Sequence, residues 1–162
     1  MSKIKLSILL LISFIIFSCT NNQANNSNQK YSLAYIGGKY DGLLLKNYLT
    51  SGLKNLDIHD QNSDFVIQAS INHSKNLYIT NIDNTSDREK INTKLFIKII
   101  NEKSDCIVFN DEINVSQFYI YASGDKFLSN QAAVKKIKKD NTESSVRQFI
   151  NKLKKIENQC LE

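Results

Sequence analysis

Residues 91–99 read Ile91-Asn92-Thr93-Lys94-Leu95-Phe96-Ile97-Lys98-Ile99. Ile91, Thr93, Leu95, Ile97 and Ile99 share one side of an extended chain, and Asn92, Lys94, Phe96 and Lys98 share the other. Successive side chains of a strand point to opposite faces, so the stretch is a strand with one dry and one wetter face, as in antiparallel sheets. The pattern repeats on both sides. Upstream, Phe65, Ile67, Ala69 and Ile71 share a parity that returns at Leu77 and Ile79; downstream of a turn-like 101–105, Ile107, Phe109, Ile113 and Val115 do the same. Strands this long are expected to carry bulges.

Further out, 31–36 alternates with Tyr31, Leu33 and Tyr35 on one face, and Gly37-Gly38 ends it. From Asp41 the spacing turns helical: Leu45, Leu49 and Leu53 recur every four residues with Leu44 and Tyr48 beside them, while Gly52 weakens the last turn. Gly124 closes the sheet region. Nothing breaks a helix over 129–155, where Val146, Phe149, Ile150 and Leu153, with Ile156 beyond, form an apolar stripe. Its middle, 135–141, holds only Ile137 as an anchor and is expected to fray or bend. The order β-α-β-β-β-α predicts an α/β fold of the α+β kind: a two-layer sandwich whose four-stranded, mostly antiparallel sheet carries two helices on one face.

The chain's 162 residues suffice for one ordinary domain and not two. Apolar content of 41% with 23% charge excludes disorder throughout. Asn, Ile and Lys are abundant in every kind of segment, so a lysine-rich stretch carries less functional meaning than usual. A formal charge of +5 raises nucleic acid as a partner, and the first twenty residues remove it.

Lys3 and Lys5 precede Leu6-Ser7-Ile8-Leu9-Leu10-Leu11-Ile12-Ser13-Phe14-Ile15-Ile16-Phe17, a run that is apolar except for its two serines. A helix of that length reaches about 18 Å, short of the roughly 30 Å hydrocarbon core. A basic start, a short apolar run and a small residue, Ser18, describe an export signal. Ile16-Phe17-Ser18-Cys19 resembles the lipobox of bacterial lipoproteins, whose cysteine is acylated after the signal is cut just before it. An ordinary secreted protein or an uncleaved anchor is the other reading. Several acyl chains would anchor the protein durably. Thr20, a residue other than Asp, implies under the sorting rule of such lipoproteins passage to the outer membrane. Residues 20–29 hold almost no apolar side chain and are expected to be a flexible tether. The organisation is therefore a signal peptide over 1–18, a lipidated tether over 19–29, and one domain over 30–162.

Signals for catalysis are weak. His59 and His73 stand in no metal or triad spacing and are read as solvated or hydrogen-bonded. Gly37-Gly38-Lys39 lacks the frame of a phosphate loop and is read as a turn. No metal and no cofactor beyond the lipid is expected, and the chain is not expected to be an enzyme. Cys106 and Cys160 are left once Cys19 carries lipid, and an oxidising compartment would allow them to pair. The last helix returns to the start of the fourth strand, which favours contact. Parity opposes it, because Cys106 falls on the face opposite Ile107 and Phe109. Lys90, Lys94 and Lys98 recur every four residues on the polar face of one strand, roughly 13 Å apart. Such a cluster can hold phosphate groups, with a solvated face as the default reading. Lys135, Lys136, Lys138 and Lys139 wrap round a helix axis, and solvation is again the default.

The arrangement resembles the lipopolysaccharide-assembly lipoprotein family LptE, also called RlpB. The likeness runs from lipobox and tether through strand, helix, three long strands and terminal helix. It is closest in the second half: Arg88 before the third strand, Val115-Ser116-Gln117-Phe118 at the end of the fourth, then Tyr119, Tyr121 and Ala122. Ala132-Ala133 comes early in the last helix and Phe149-Ile150-Asn151-Lys152-Leu153 late. The resemblance implies an outer-membrane lipoprotein, facing the periplasm, that sits inside an LptD-type β-barrel and contacts lipopolysaccharide. A lipoprotein of similar fold bound to another barrel complex or to peptidoglycan is the alternative.

Overall fold

The computed structural model describes residues 29–79, 87–120, 127–156 and 160–161. The signal segment 1–18, Cys19, the tether up to residue 28, Tyr121, Ala122 and Gly124 lie outside the described residues. The elements are β1 Ser32–Gly37, α1 Lys39–Asn55, β2 Phe65–Ile79, β3 Asp87–Asn101, β4 Cys106–Ile120 and α2 Phe127–Leu153. The sheet order is β1-β2-β3-β4, with β1 parallel to β2 and the other two pairs antiparallel. This is the α+β architecture that the alternation and helical spacing predict. Arg88 lies inside β3 rather than before it, and β4 runs two residues past Phe118 to Ile120.

One apolar layer holds the two helices to the sheet. Leu45, Leu49 and Leu53 of α1 and Val146, Phe149 and Leu153 of α2 meet Ile67, Ala69, Ile71, Leu95, Ile97, Ile99 and Ile113. All three α1 leucines are fully buried. Each such side chain contributes about 1.5–3 kcal/mol through the area it removes from water. Gly52 serves the contact between helices. A Cβ there would stand 3.1 Å from Ile150 Cγ1, so its absence lets α1 and α2 approach. Gly38 makes the turn into α1 at φ 121°, and a Cβ would meet Ile71 Cγ2 at 2.7 Å.

Two bulges shift faces that strict alternation assigns wrongly. In β1, Leu33 pairs with Ile67 and Ile36 with Ala69, so Ala34 and Tyr35 together oppose one residue. Ile36 therefore packs on the core, while Tyr35 turns to the open face at 66% exposure. In β4, Ile99 pairs with Phe109 and Ile100 with Ile107, leaving Val108 as the extra residue. Phe109 stays against Phe149, their rings 5.9 Å apart, but Ile107 moves to the opposite face. The expectation that Ile107 shares the inner face with Phe109 and Ile113 is thus corrected. The same extra residue turns Cys106 toward the helices, where it packs against the core cluster.

The helix α2 does not fray at 135–141. Asn141 and Thr142 are fully buried there; Asn141 Nδ2 donates to Ile91 O (3.3 Å) and Thr93 Oγ1 (3.1 Å), and Thr142 Oγ1 donates to Lys138 O. The two Asn141 bonds pin the helix to β3 where apolar anchors are sparse. No helix among the described residues is long and apolar enough to cross a membrane.

Candidate functional site

Both helices sit on one face of the sheet, so the outward side chains of β2, β3 and β4 form a platform. Its composition follows the even positions of β2 and β3: Gln68, Ser70, Asn72, Ser74 and Asn76, then Lys90, Asn92, Lys94, Phe96 and Lys98. From β4 come Asn110, Glu112, Asn114, Ser116 and Phe118, paired with Lys98, Phe96, Lys94, Asn92 and Lys90. The platform is rich in amides and hydroxyls, with a column of three ammonium groups along its middle strand.

Lys90, Lys94 and Lys98 are thus on one face, as their parity predicts, yet their surroundings differ. Lys90 Nζ lies 5.4 Å from the centroid of the Phe118 ring, a cation–π distance. Lys94 Nζ meets Glu112 Oε1 at 3.0 Å, and Asn114 Nδ2 donates to the same oxygen at 2.9 Å. The Asn114 amide and then Lys94 hold the Glu112 carboxyl below its ordinary range. Lys98 borders a shallow depression with Tyr35, Gln68, Ser70, Phe96 and Asn110. A second hollow of about 520 Å³ lies between Lys90 and Lys94, with Ser74, Asn76, Asn92, Asn114 and Ser116 on its walls. Such a surface can hydrogen-bond a ligand bearing many hydroxyls and hold spaced anionic groups by charge-assisted bonds.

A second polar cluster lies on the inner face, beyond the start of α1, and the sequence reading missed it. Glu89 is buried; it accepts from the Tyr119 hydroxyl and pairs with Lys75 Nζ at 2.6 Å. The bond to Glu89 raises the Lys75 ammonium pKa, and burial followed by Glu89 raises the Tyr119 hydroxyl. Next to it, His73 Nδ1 is 2.8 Å from Thr93 Oγ1, and His73 Nε2 is 3.7 Å from Asp41 Oδ2. Burial pushes the His73 imidazole pKa down, against the pull of Asp41 and with the help of Lys138. Lys138 Nζ in turn lies 3.5 Å from Asp41 Oδ2. A cleft of about 470 Å³ opens here between Asp41, Lys75, Tyr119 and the α2 residues Asn130, Gln131, Val134, Lys135 and Lys138. The signal in the sequence was the loss of apolar residues at inward positions 73, 75, 89 and 93.

The remaining candidates resolve simply. His59 Nδ1 is 3.3 Å from Tyr31 O, a hydrogen-bonded setting like that of His73. The segment Gly37-Gly38-Lys39 is the turn into α1. No group of three metal-ligating side chains occurs among the described residues. Cys106 and Cys160 are joined by a disulfide, with Cα atoms 5.7 Å apart. The parity argument against that pairing fails because of the extra residue Val108.

No protein-family model matches the sequence, and no curated protein matches it. Solved structures do. Rare lipoprotein B from Shewanella oneidensis aligns over 77% of this chain and 93% of its own, at 8% identity and a TM-score of 0.62. A minor lipoprotein from Acinetobacter baumannii aligns over 78% and 91%, at 12% identity and a TM-score of 0.59. Lipoprotein B from Nitrosomonas europaea aligns over 78% and 82%, at 11% identity and a TM-score of 0.57. The chain shares its fold with these bacterial lipoproteins.

Proposed function

We propose that the chain is a lipid-anchored protein of the outer membrane that faces the periplasm, assists assembly of an LptD-type β-barrel, plugs it, and takes part in moving lipopolysaccharide to the outer leaflet. The carrying observation is the β-α-β-β-β-α sandwich shared with rare lipoprotein B, together with a lipobox-like Ile16-Phe17-Ser18-Cys19 at the head of the chain. The outer sheet face supports the reading. Its amides, hydroxyls and lysine column suit both the wet lumen of a barrel and the phosphate and sugar groups of lipopolysaccharide. In this reading the chain does no chemistry of its own and needs no cofactor besides the lipid on Cys19.

The decisive test is purification of the tagged chain from native membranes in mild detergent. A large β-barrel protein in stoichiometric amount is the expected result. Recovery without one sinks the proposal, and recovery with peptidoglycan or a different barrel complex replaces it. A second measurement addresses the platform. Replacing Lys90, Lys94 and Lys98 together with Gln is expected to weaken lipopolysaccharide binding and flatten its dependence on salt. Unchanged binding would assign the column to solvation alone.

A further inference from the structure

The Cys106–Cys160 disulfide ties the start of β4 to the chain beyond α2, two elements also linked by the Lys152–Asp111 ion pair. Cys106 opens β4 and faces the helix layer; Cys160 follows the end of α2 and is exposed. Beside the bond, Leu161 N–H donates to Ile107 O at 2.7 Å, so Leu161 sits against the edge of β4. Ile156 packs against the core between α2 and the bridge. The Cys106 sulfur is also 3.2 Å from Ser104 Oγ.

We propose that this disulfide is a redox-controlled clasp. It is closed after export by a disulfide donor, and it holds Leu161 against the edge of β4. The chemistry follows from the unequal exposure of the two residues, Cys160 exposed and Cys106 half-buried. An incoming thiolate reaches Cys160 Sγ, forms a bond to it, and breaks the Cys106–Cys160 bond. Cys106 leaves as a thiolate that the Ser104 hydroxyl can hydrogen-bond. A second thiol then attacks the mixed disulfide and frees Cys160, so two thiols are oxidised to one disulfide while the clasp takes up two electrons and two protons. Closure is the reverse: the donor's disulfide is reduced to a dithiol as the clasp forms. With the clasp open, the Leu161–Ile107 hydrogen bond has nothing to hold it, and the β4 edge is uncovered there. The Leu, Ile and Phe contacts of α1 and α2 with the sheet do not depend on the bridge, so the rest of the domain stays folded.

The full chain purified in detergent allows three readings. Trypsin cuts after Lys155, and the 156–162 peptide is expected to stay attached until reductant is added; release without reductant overturns the clasp. After reduction, hydrogen exchange at Leu161 and over 149–153 is expected to speed up at least tenfold while 67–71 and 95–99 change less than twofold. No change, or acceleration everywhere, overturns local control. Finally, brief treatment with reduced glutathione and an acid quench is expected to leave the mixed disulfide on Cys160. Finding it on Cys106 overturns the assigned order of attack. The Cys106→Ser/Cys160→Ser variant is expected to exchange like the reduced protein and to ignore reductant, and a response to reductant in that variant also counts against the clasp. None of these outcomes depends on whether the chain binds a barrel.

Discussion

The two ends of the sandwich are built from the same three strands and differ in what lies above them. Where both helices cover the sheet, the inward residues are Ile67, Ala69, Ile71, Leu95, Ile97 and Ile99, and the layer is dry. Past the start of α1, near Asp41, only the first half of α2 remains overhead, and the inward residues become His73, Lys75, Glu89 and Thr93. Leu77, of the same inward parity, is 56% exposed. The strands keep their extended geometry throughout. What changes is the supply of apolar partners, and most inward positions beyond the start of α1 turn polar, although Ile91, opposite Lys75, stays apolar and buried. Buried Glu89 is met by both the Lys75 ammonium and the Tyr119 hydroxyl, as burial demands.

The contrast can be broken first at the dry end. Phe149 is fully buried against Phe109, so Phe149→Ala is expected to cost about 3–5 kcal/mol in urea denaturation. A loss near 1 kcal/mol would mean that the core under both helices is loosely packed. At the polar end, Asn141→Ala is expected to cost less, about 1–3 kcal/mol, because Ile91 O and Thr93 Oγ1 lose a buried donor. Greater loss than for Phe149→Ala would reverse the ranking of the two ends.

The smallest effect concerns pH. The folded imidazole of His73 titrates below its unfolded value, so folding favours the neutral form. That contribution is complete above the unfolded pKa, about 6.5, and is lost as pH falls through the window down to the folded value. His73→Gln is therefore expected to show a shallower loss of stability between pH 7.5 and 5.5 than the parent chain. Equal slopes would assign the acid sensitivity to other groups.

Much of this fold is legible in the sequence because its strands alternate cleanly and its leucines recur every four residues. Leu45, Leu49 and Leu53 declare a buried helical stripe without any tertiary information. The lysine column was legible for the same reason: Lys90, Lys94 and Lys98 keep parity along an unbulged strand. Tyr35 and Ile107 were not, since each lies beside an extra residue whose place is set by neighbouring strands rather than by its own side chain. Asn141 was missed because a lone amide in a lysine-rich helix looks solvated until β3 presents the Ile91 carbonyl and the Thr93 hydroxyl. The inner cluster of Glu89, Tyr119 and Lys75 draws on three strands, and no local period connects them.

The extra residue in β4 has a consequence for how this strand can change. Val108 sets the facing of every β4 residue before it relative to those after it. Deleting that one valine would leave the strand in plain alternation, with Ile107 still opposite Ile100 and Cys106 still turned to the helices. The spare residue is what lets Cys106 and Phe109, of unlike parity, share the inner face, and a strand that straightened here without losing a residue would turn Cys106 away from Cys160.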